Sequence, residues 1–353
     1  MMKPFNIAED TIITQITVTN GFFDGGVGTL AGSNFSTSSL SSTQKSYYYN
    51  LQYNSKDHLS VTYGHIGGSG SAEESTTVEG TTQAIYKQFY NLVETNAEKL
   101  RDGQGWAMID GTNGSSAVSQ SDVYIVSAER LQMKDRLNPG TWTMTLSGSS
   151  SAGLGNSLVL TDDSKTVNPE SAPFGPRYNI VSGSAGTVNT VYTSKTYGFF
   201  YPDAGLMVLS ATALSSSLPG DAGLVQSSSG HTGFTGTGLT ADTRVADAVD
   251  NANKLTLALQ KGSVTLRSEE QQYIYDYFCR AKTSEYNLSQ NLTFWSGSDY
   301  TIRHNDMVTN PQVYISEVGL YDNQNSLLAV GRLSSPINKN FSSEAIVKVR
   351  LTY

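Results

Sequence analysis

Four histidines, His58, His65, His231 and His304, are the first residues of this 353-residue chain to test for chemistry, because imidazole is both a base near neutral pH and a common metal ligand. Only His58 and His65 are close in sequence. On a strand running from Lys56 to His65 their odd separation turns them to opposite faces, so they do not share an ion. His231 falls in a Gly-rich stretch and His304 stands beside Asp306, both settings for a solvated or hydrogen-bonded ring. The only cysteine, Cys279, excludes an intrachain disulfide, a multi-thiolate zinc site and a redox pair. It reads as a small apolar side chain, and an intracellular folding compartment is the easier reading.

Paired carboxylates come next. Glycoside hydrolysis needs two carboxyls across a cleft, and Glu73-Glu74, Asp162-Asp163 and Glu269-Glu270 are the adjacent pairs. Neighbours on a strand point apart, so these read as solvated charges. No Gly-x-Ser-x-Gly elbow and no Cys-His arrangement of known spacing is present. Gly67-Gly-Ser-Gly-Ser and Gly233-Phe-Thr-Gly-Thr-Gly are Gly-rich but lack the Gly-Lys-Ser/Thr ending of a phosphate loop. Asp322-Asn-Gln-Asn-Ser opens like a calcium loop, yet Leu327 stands where an EF-hand needs Gly and Leu333 where it needs Glu, so a turn is the better reading. No catalytic, cofactor-binding or metal-ligating residue is assigned, and the chain does not read as an enzyme.

Tyrosine is the remaining side chain with something to offer, at 20 residues against 12 Phe and 3 Trp. Tyr47, Tyr49, Leu51 and Tyr53 share one strand face with Tyr48 on the other, and Tyr273, Tyr275 and Tyr277 line one face of a second strand. Such stripes suit a core face with wet hydroxyls, a subunit interface, where Tyr is enriched, or a sugar-stacking surface. The six tyrosines are the candidate interface.

The elements that carry these residues are predominantly β, being short alternating runs between Gly, Ser, Asn and Asp. Strands are expected at 12–18, 47–53, 59–63, 123–128, 141–146, 157–160, 178–181 and 188–192. Helical spacing appears twice. Ile85, Phe89, Leu92, Val93 and Leu100 mark an amphipathic helix over 76–100, with Thr76 and Glu79 spaced as a capping box. Val245, Val249, Ala252, Leu255 and Leu259 mark another over 241–261, and Gly262 follows as its cap. At the end, Val313 to Tyr321 and Leu327 to Leu333 flank the polar turn as a hairpin that Pro336 ends, and Ala345, Val347, Val349, Leu351 and Tyr353 form one face of a terminal strand. The class expected is mainly β with two helices: antiparallel, sandwich-like sheets with long Gly/Ser-rich loops at 148–155 and 218–238. Composition suggests a β domain over 1–147, a central region over 148–240, and a closing segment over 241–353 packed with the N-terminal part.

Charged residues are only 15% of the chain and sum to −8, which disfavours broad phosphate-backbone binding. The start, Met1-Met-Lys-Pro-Phe-Asn, has no apolar stretch of signal-peptide length, and no run nears the ~20 residues of a membrane span. A soluble chain made without export, with no membrane insertion and no direct nucleic-acid contact, is expected.

Several stretches resemble a family. Asn310-Pro-Gln-Val-Tyr-Ile-Ser-Glu-Val-Gly-Leu-Tyr-Asp-Asn-Gln-Asn-Ser-Leu-Leu-Ala-Val-Gly-Arg-Leu, closing with Phe341-Ser-Ser-Glu-Ala-Ile-Val-Lys-Val-Arg-Leu, is similar to the C-terminal signature of virion structural proteins of contractile-tailed bacteriophages, especially marine cyanophages. The likeness continues in Val61-Thr-Tyr-Gly-His, Thr82-Gln-Ala-Ile-Tyr-Lys-Gln-Phe, Ala128-Glu-Arg-Leu-Gln-Met-Lys-Asp-Arg-Leu-Asn-Pro-Gly-Thr-Trp and Gly198-Phe-Phe-Tyr-Pro-Asp-Ala-Gly. The segment 218–238 matches no part of it. The resemblance implies a tail or baseplate component, made and assembled in the host cytoplasm, that contacts other virion subunits and forms a homo-oligomer or symmetric ring. A receptor-binding module for host glycans and a tail-associated glycan hydrolase are the alternatives.

Overall fold

The short alternating runs become antiparallel sheet. In a computed structural model, residues 3–31, 36–37, 48–66, 82–94, 105–110, 114–147, 157–215, 248–289, 291–299 and 301–353 are described. The chain is mainly β, 52% strand against 16% helix, and its antiparallel sheets include one curled into a half-barrel. It divides into two compact units. The larger is Val18–Glu270; the smaller joins Met1–Thr17 to Gln271–Tyr353. These boundaries fall elsewhere than composition suggested, because contact and not Gly/Ser content defines a unit: the helix Ala248–Lys261 and the strand Ser263–Thr265 pack within the larger one.

The larger unit is built on one long sheet. Its order runs from Thr29–Ala31 through Ser263–Thr265, Thr143–Ser147, Ser157–Asp162, Gly175–Ser184, Gly198–Tyr201, Leu206–Ser210, Asp122–Ala128, Lys56–His65 and Tyr49–Tyr53 to Ser36–Thr37. Its middle strands are apolar at consecutive positions, Val123-Tyr-Ile-Val, Gly198-Phe-Phe-Tyr and Leu206-Met-Val-Leu, because both faces are covered. Alternation sends Tyr124, Val126, Phe200, Met207 and Leu209 to one core cluster, with Ala252, Leu255 and Leu259 of one helix. Val123, Ile125, Phe199, Tyr201 and Val208 go to a second, with Ile85, Tyr86, Phe89 and Val93 of the other helix, Thr82–Val93. Each large side chain so buried contributes about 1.5–3 kcal/mol, which fixes the register of the whole sheet.

Several boundaries differ from the sequence reading. The first helix spans Thr82–Val93, and the predicted capping box, Thr76 and Glu79, lies outside the described residues. The second spans Ala248–Lys261, with Val245 outside them. Gly262 does accept the cap position, its N–H donating to Ala258 O at 3.1 Å. It is glycine for a further reason: a Cβ there would stand 1.8 Å from Thr145 O on the neighbouring strand. Of the strand expected over 188–192 only Thr187–Val188 pairs, since Val191 O turns back to accept from Ser194 N at 3.0 Å. The Gly/Ser segments 148–155 and 218–238 lie outside the described residues.

In the smaller unit the strand Arg267–Ala281 pairs from Ile274 to Ala281 with the terminal strand Ala345–Thr352. The hairpin joins Val313–Tyr321 to Leu327–Lys339. Asp322 Oδ1 closes its turn, accepting from Gln324 N at 2.8 Å and Ser326 N at 2.7 Å. Pro336 does not end the second strand. It falls in a register break, between the pairs Glu317↔Arg332 and Ile315↔Ile337, where a missing N–H costs no ladder bond.

Candidate assembly surface

Alternation along Arg267–Ala281 puts Tyr273, Tyr275 and Tyr277 on one face and Ile274, Asp276 and Phe278 on the other. The register with the terminal strand then sets Tyr277 beside Val349 and Tyr275 beside Leu351, so two predicted apolar faces become one. Tyr275 and Tyr277 stack with centroids 6.1 Å apart, Tyr353 meets Tyr275 edge-on at 5.4 Å, and Phe5 tilts against Tyr277 at 5.7 Å. This aromatic ladder runs to the surface: Tyr273 is 42% and Tyr353 67% exposed. Behind it, Arg350 Nε donates to Asp276 Oδ1 at 2.8 Å and Lys348 Nζ to Oδ2 at 2.8 Å. Those two cations hold the Asp276 carboxyl well below the usual carboxylate range.

The ladder is not the only apolar surface exposed among the described residues. Among the described residues, seventeen exposed large apolar side chains belong to the smaller unit and four to the larger. The hairpin exposes Tyr314, Tyr321, Leu328 and Val330, and the strand Thr11–Gly21 exposes Ile12, Ile13 and Ile16. Both core clusters lie within the larger unit. The buried apolar residues described in the smaller one are Ala281, Ala345, Val347 and Val349. Four modest side chains are little core for a hairpin and a three-stranded sheet, and a two-stranded hairpin alone is marginal in water.

The six candidate tyrosines divide between the units. Tyr273, Tyr275 and Tyr277 form the ladder in the smaller unit. Tyr49 is buried in a core cluster of the larger unit, Tyr53 packs half-buried against the same cluster, and Tyr47 lies outside the described residues. Their alternation holds, since Tyr49, Leu51 and Tyr53 all meet that one cluster, and the extra residue of the register shift lies in the neighbouring strand, between Asp57 and Leu59.

Polar residues that sequence reading discounted are partly structural. Asp162 and Asp163 are buried and not solvated, although they do point apart. Asp162 accepts twice from Gly140 N, at 2.9 and 2.8 Å, and Asp163 accepts from Asn179 N at 3.0 Å and Asn179 Nδ2 at 2.8 Å. Burial pushes both carboxyls up despite those bonds. Glu269 instead meets Arg136 at 2.5 Å, and Glu73-Glu74 lies outside the described residues. His58 is spent on structure, accepting from Asp24 N at 3.0 Å with Nδ1 2.8 Å from Lys56 O. His65 stands apart, 3.6 Å from Asp122. His304 is exposed and His231 outside the described residues. Cys279 is half-buried, and burial with the Asp10 charge pushes its thiol up, away from the reactive thiolate.

Sequence reading missed a buried polar network. Tyr63 donates to Asp122, Gln120 Nε2 to Asp110 Oδ2 at 2.9 Å, and Ser210 Oγ to Gln120 Oε1 at 2.5 Å while accepting from Ala213 N at 3.0 Å. Ser210 is fully enclosed, so its hydroxyl caps the Ala211–Ser215 helix and meets no solvent. Nothing local marks these residues, which come from four separated segments. No group of three His, Cys, Asp or Glu side chains among the described residues is placed to hold a metal ion. Nor is any described helix long and apolar enough to cross a membrane. No family model, no curated protein and no solved structure matches this chain.

Proposed function

We infer that the protein is a structural component of a bacteriophage virion, in its tail or baseplate, and that it acts by contacts with other subunits and not by catalysis. One observation carries the reading: among the described residues the smaller unit leaves seventeen large apolar side chains exposed while burying four apolar ones. Soluble monomers rarely do this, and an apolar surface of that kind is stable when a partner covers it. The low charge and the resemblance of the terminal hairpin and strand to virion proteins point the same way. The larger unit, by contrast, buries core clusters on both faces of its sheet.

Mass spectrometry of purified particles, followed by cryo-EM of the same particles, tests the reading. The chain is expected in stoichiometric amount with density in the tail or baseplate. Its absence from particles while abundant in the infected-cell lysate would overturn the assignment. Release of reducing sugar from host envelope polysaccharide, abolished by one Asp or Glu substitution, would replace it with a hydrolase.

A further inference from the structure

We propose that the strand Thr11–Gly21 is a self-association edge, pairing antiparallel with the same strand of a second copy of this chain; the proposal deepens the assembly reading by naming one partner. The strand is eleven residues long and stands at the end of its sheet, next to Arg267–Ala281. An edge strand offers unpaired N–H and C=O groups, and proteins that stay monomeric blunt such edges with Lys, Pro, a bulge or short length. Thr-Ile-Ile-Thr-Gln-Ile-Thr-Val-Thr-Asn-Gly contains no charge and no proline, and is rich in β-branched residues. Ile12 and Ile13, on opposite faces, are each 55% exposed.

Charge selects both the occupant and the direction. The chain carries −8 overall, so two copies meet most easily where the surface is neutral. A cationic partner would need carboxylates along the edge, and the strand has none. The nearest, Glu9 and Asp10, precede it. Parallel pairing would set these carboxylates beside their copies. Antiparallel pairing about Thr14 puts the two Asp10 residues eight positions apart, about 27 Å, well beyond a Debye length of about 8 Å. The same register sets Ile12 opposite Ile16 and Thr11 opposite Thr17, pairs of like type that stabilise a sheet.

Disulfide trapping in the full-length chain tests this. With Cys279→Ser removing the only thiol, Thr14→Cys would place two Cα atoms about 4.5–5.5 Å apart across the two-fold, within disulfide reach. Leu131→Cys, at an 85% exposed position of the larger unit, is the control. Thr14→Cys is expected to form interchain dimers about tenfold faster than the control. Ile13→Lys, which restores a blunted edge, is expected to weaken self-association by about tenfold or more in sedimentation equilibrium. Circular dichroism checks that each variant is folded, and the trapping result decides if Ile13→Lys is not. A wild-type chain that stays monomeric at its highest soluble concentration overturns the proposal. So do dimers that trap no faster at position 14 than at 131, or a folded Ile13→Lys that self-associates undiminished. The tail assignment is decided separately, by the content of the particle.

Discussion

Val349 and Lys348 are adjacent, and the strand pleat gives them different tasks. Val349 is 8% exposed beside Tyr277, under the hairpin residue Gly331, whose added Cβ would stand 3.3 Å from Val349 Cγ2. Val349→Asp would bury an unpaired carboxylate, costing about 3 kcal/mol or more, and a thermal melt should show a large drop. Lys348 sits on the solvent side but pairs with Asp276. Lys348→Ala should therefore be mild, and Lys348→Asp worse than Ala, since it sets two carboxylates together; both should fall short of Val349→Asp. Equal shifts for all three would assign Val349 to an exposed face.

Titration at the residue scale has a definite sign. The Asp276 carboxyl is held below its ordinary 3.8, so the ion-paired form stabilises the fold above about pH 4, and that contribution is lost as pH falls through the lowered value. Urea midpoints of the wild type and Asp276→Asn should differ near neutral pH and converge in acid. Asp162 and Asp163 act oppositely: burial raises them, so the folded state takes up protons first and their cost is relieved as pH falls. A gap that widens in acid between the wild type and Asp276→Asn would refute the first assignment.

Among elements, the hairpin and the first helix contrast most. The helix Thr82–Val93 approaches the sheet closely at Gly64, where an added Cβ would stand 3.1 Å from the Tyr86 backbone. Backbone atoms cannot yield as a flexible side chain can. Gly64→Val should separate helix from sheet and cost about 1–3 kcal/mol by overpacking, measured as a lower denaturation midpoint with unchanged slope. The hairpin Val313–Tyr321 with Leu327–Lys339 buries no apolar side chain as fully as the terminal strand does Val349. Its amides should exchange quickly in the isolated protein and, on the proposed assembly role, slow on incorporation into a particle. Equal protection in both states would place the assembly contact on another element.

For the whole molecule, the two units differ in kind. The larger holds both core clusters and a sheet covered on each face, while the smaller is closed chiefly by a ladder of partly exposed rings and small buried residues. Calorimetry of the isolated chain is therefore expected to show a lower transition for the smaller unit and a higher one for the larger. A single two-state transition, with equal calorimetric and van't Hoff enthalpies, would show instead that the units fold as one.

The order of apolar and polar residues by itself determined the class, the two helices, the terminal strand and the hairpin. Period 2 and period 3.6 are local properties, and Asp322 closes its own turn. Tertiary structure decided the rest. Tyr49 and Tyr273 look alike in sequence, yet one is core and the other surface, since burial depends on what a distant segment lays over a strand. Asp162 and Asp163 became buried acceptors only when Gly140 and Asn179 came to meet them. The division at Thr17 and Glu270 was equally hidden, because the smaller unit joins both ends of the chain and no local composition records which ends will pair.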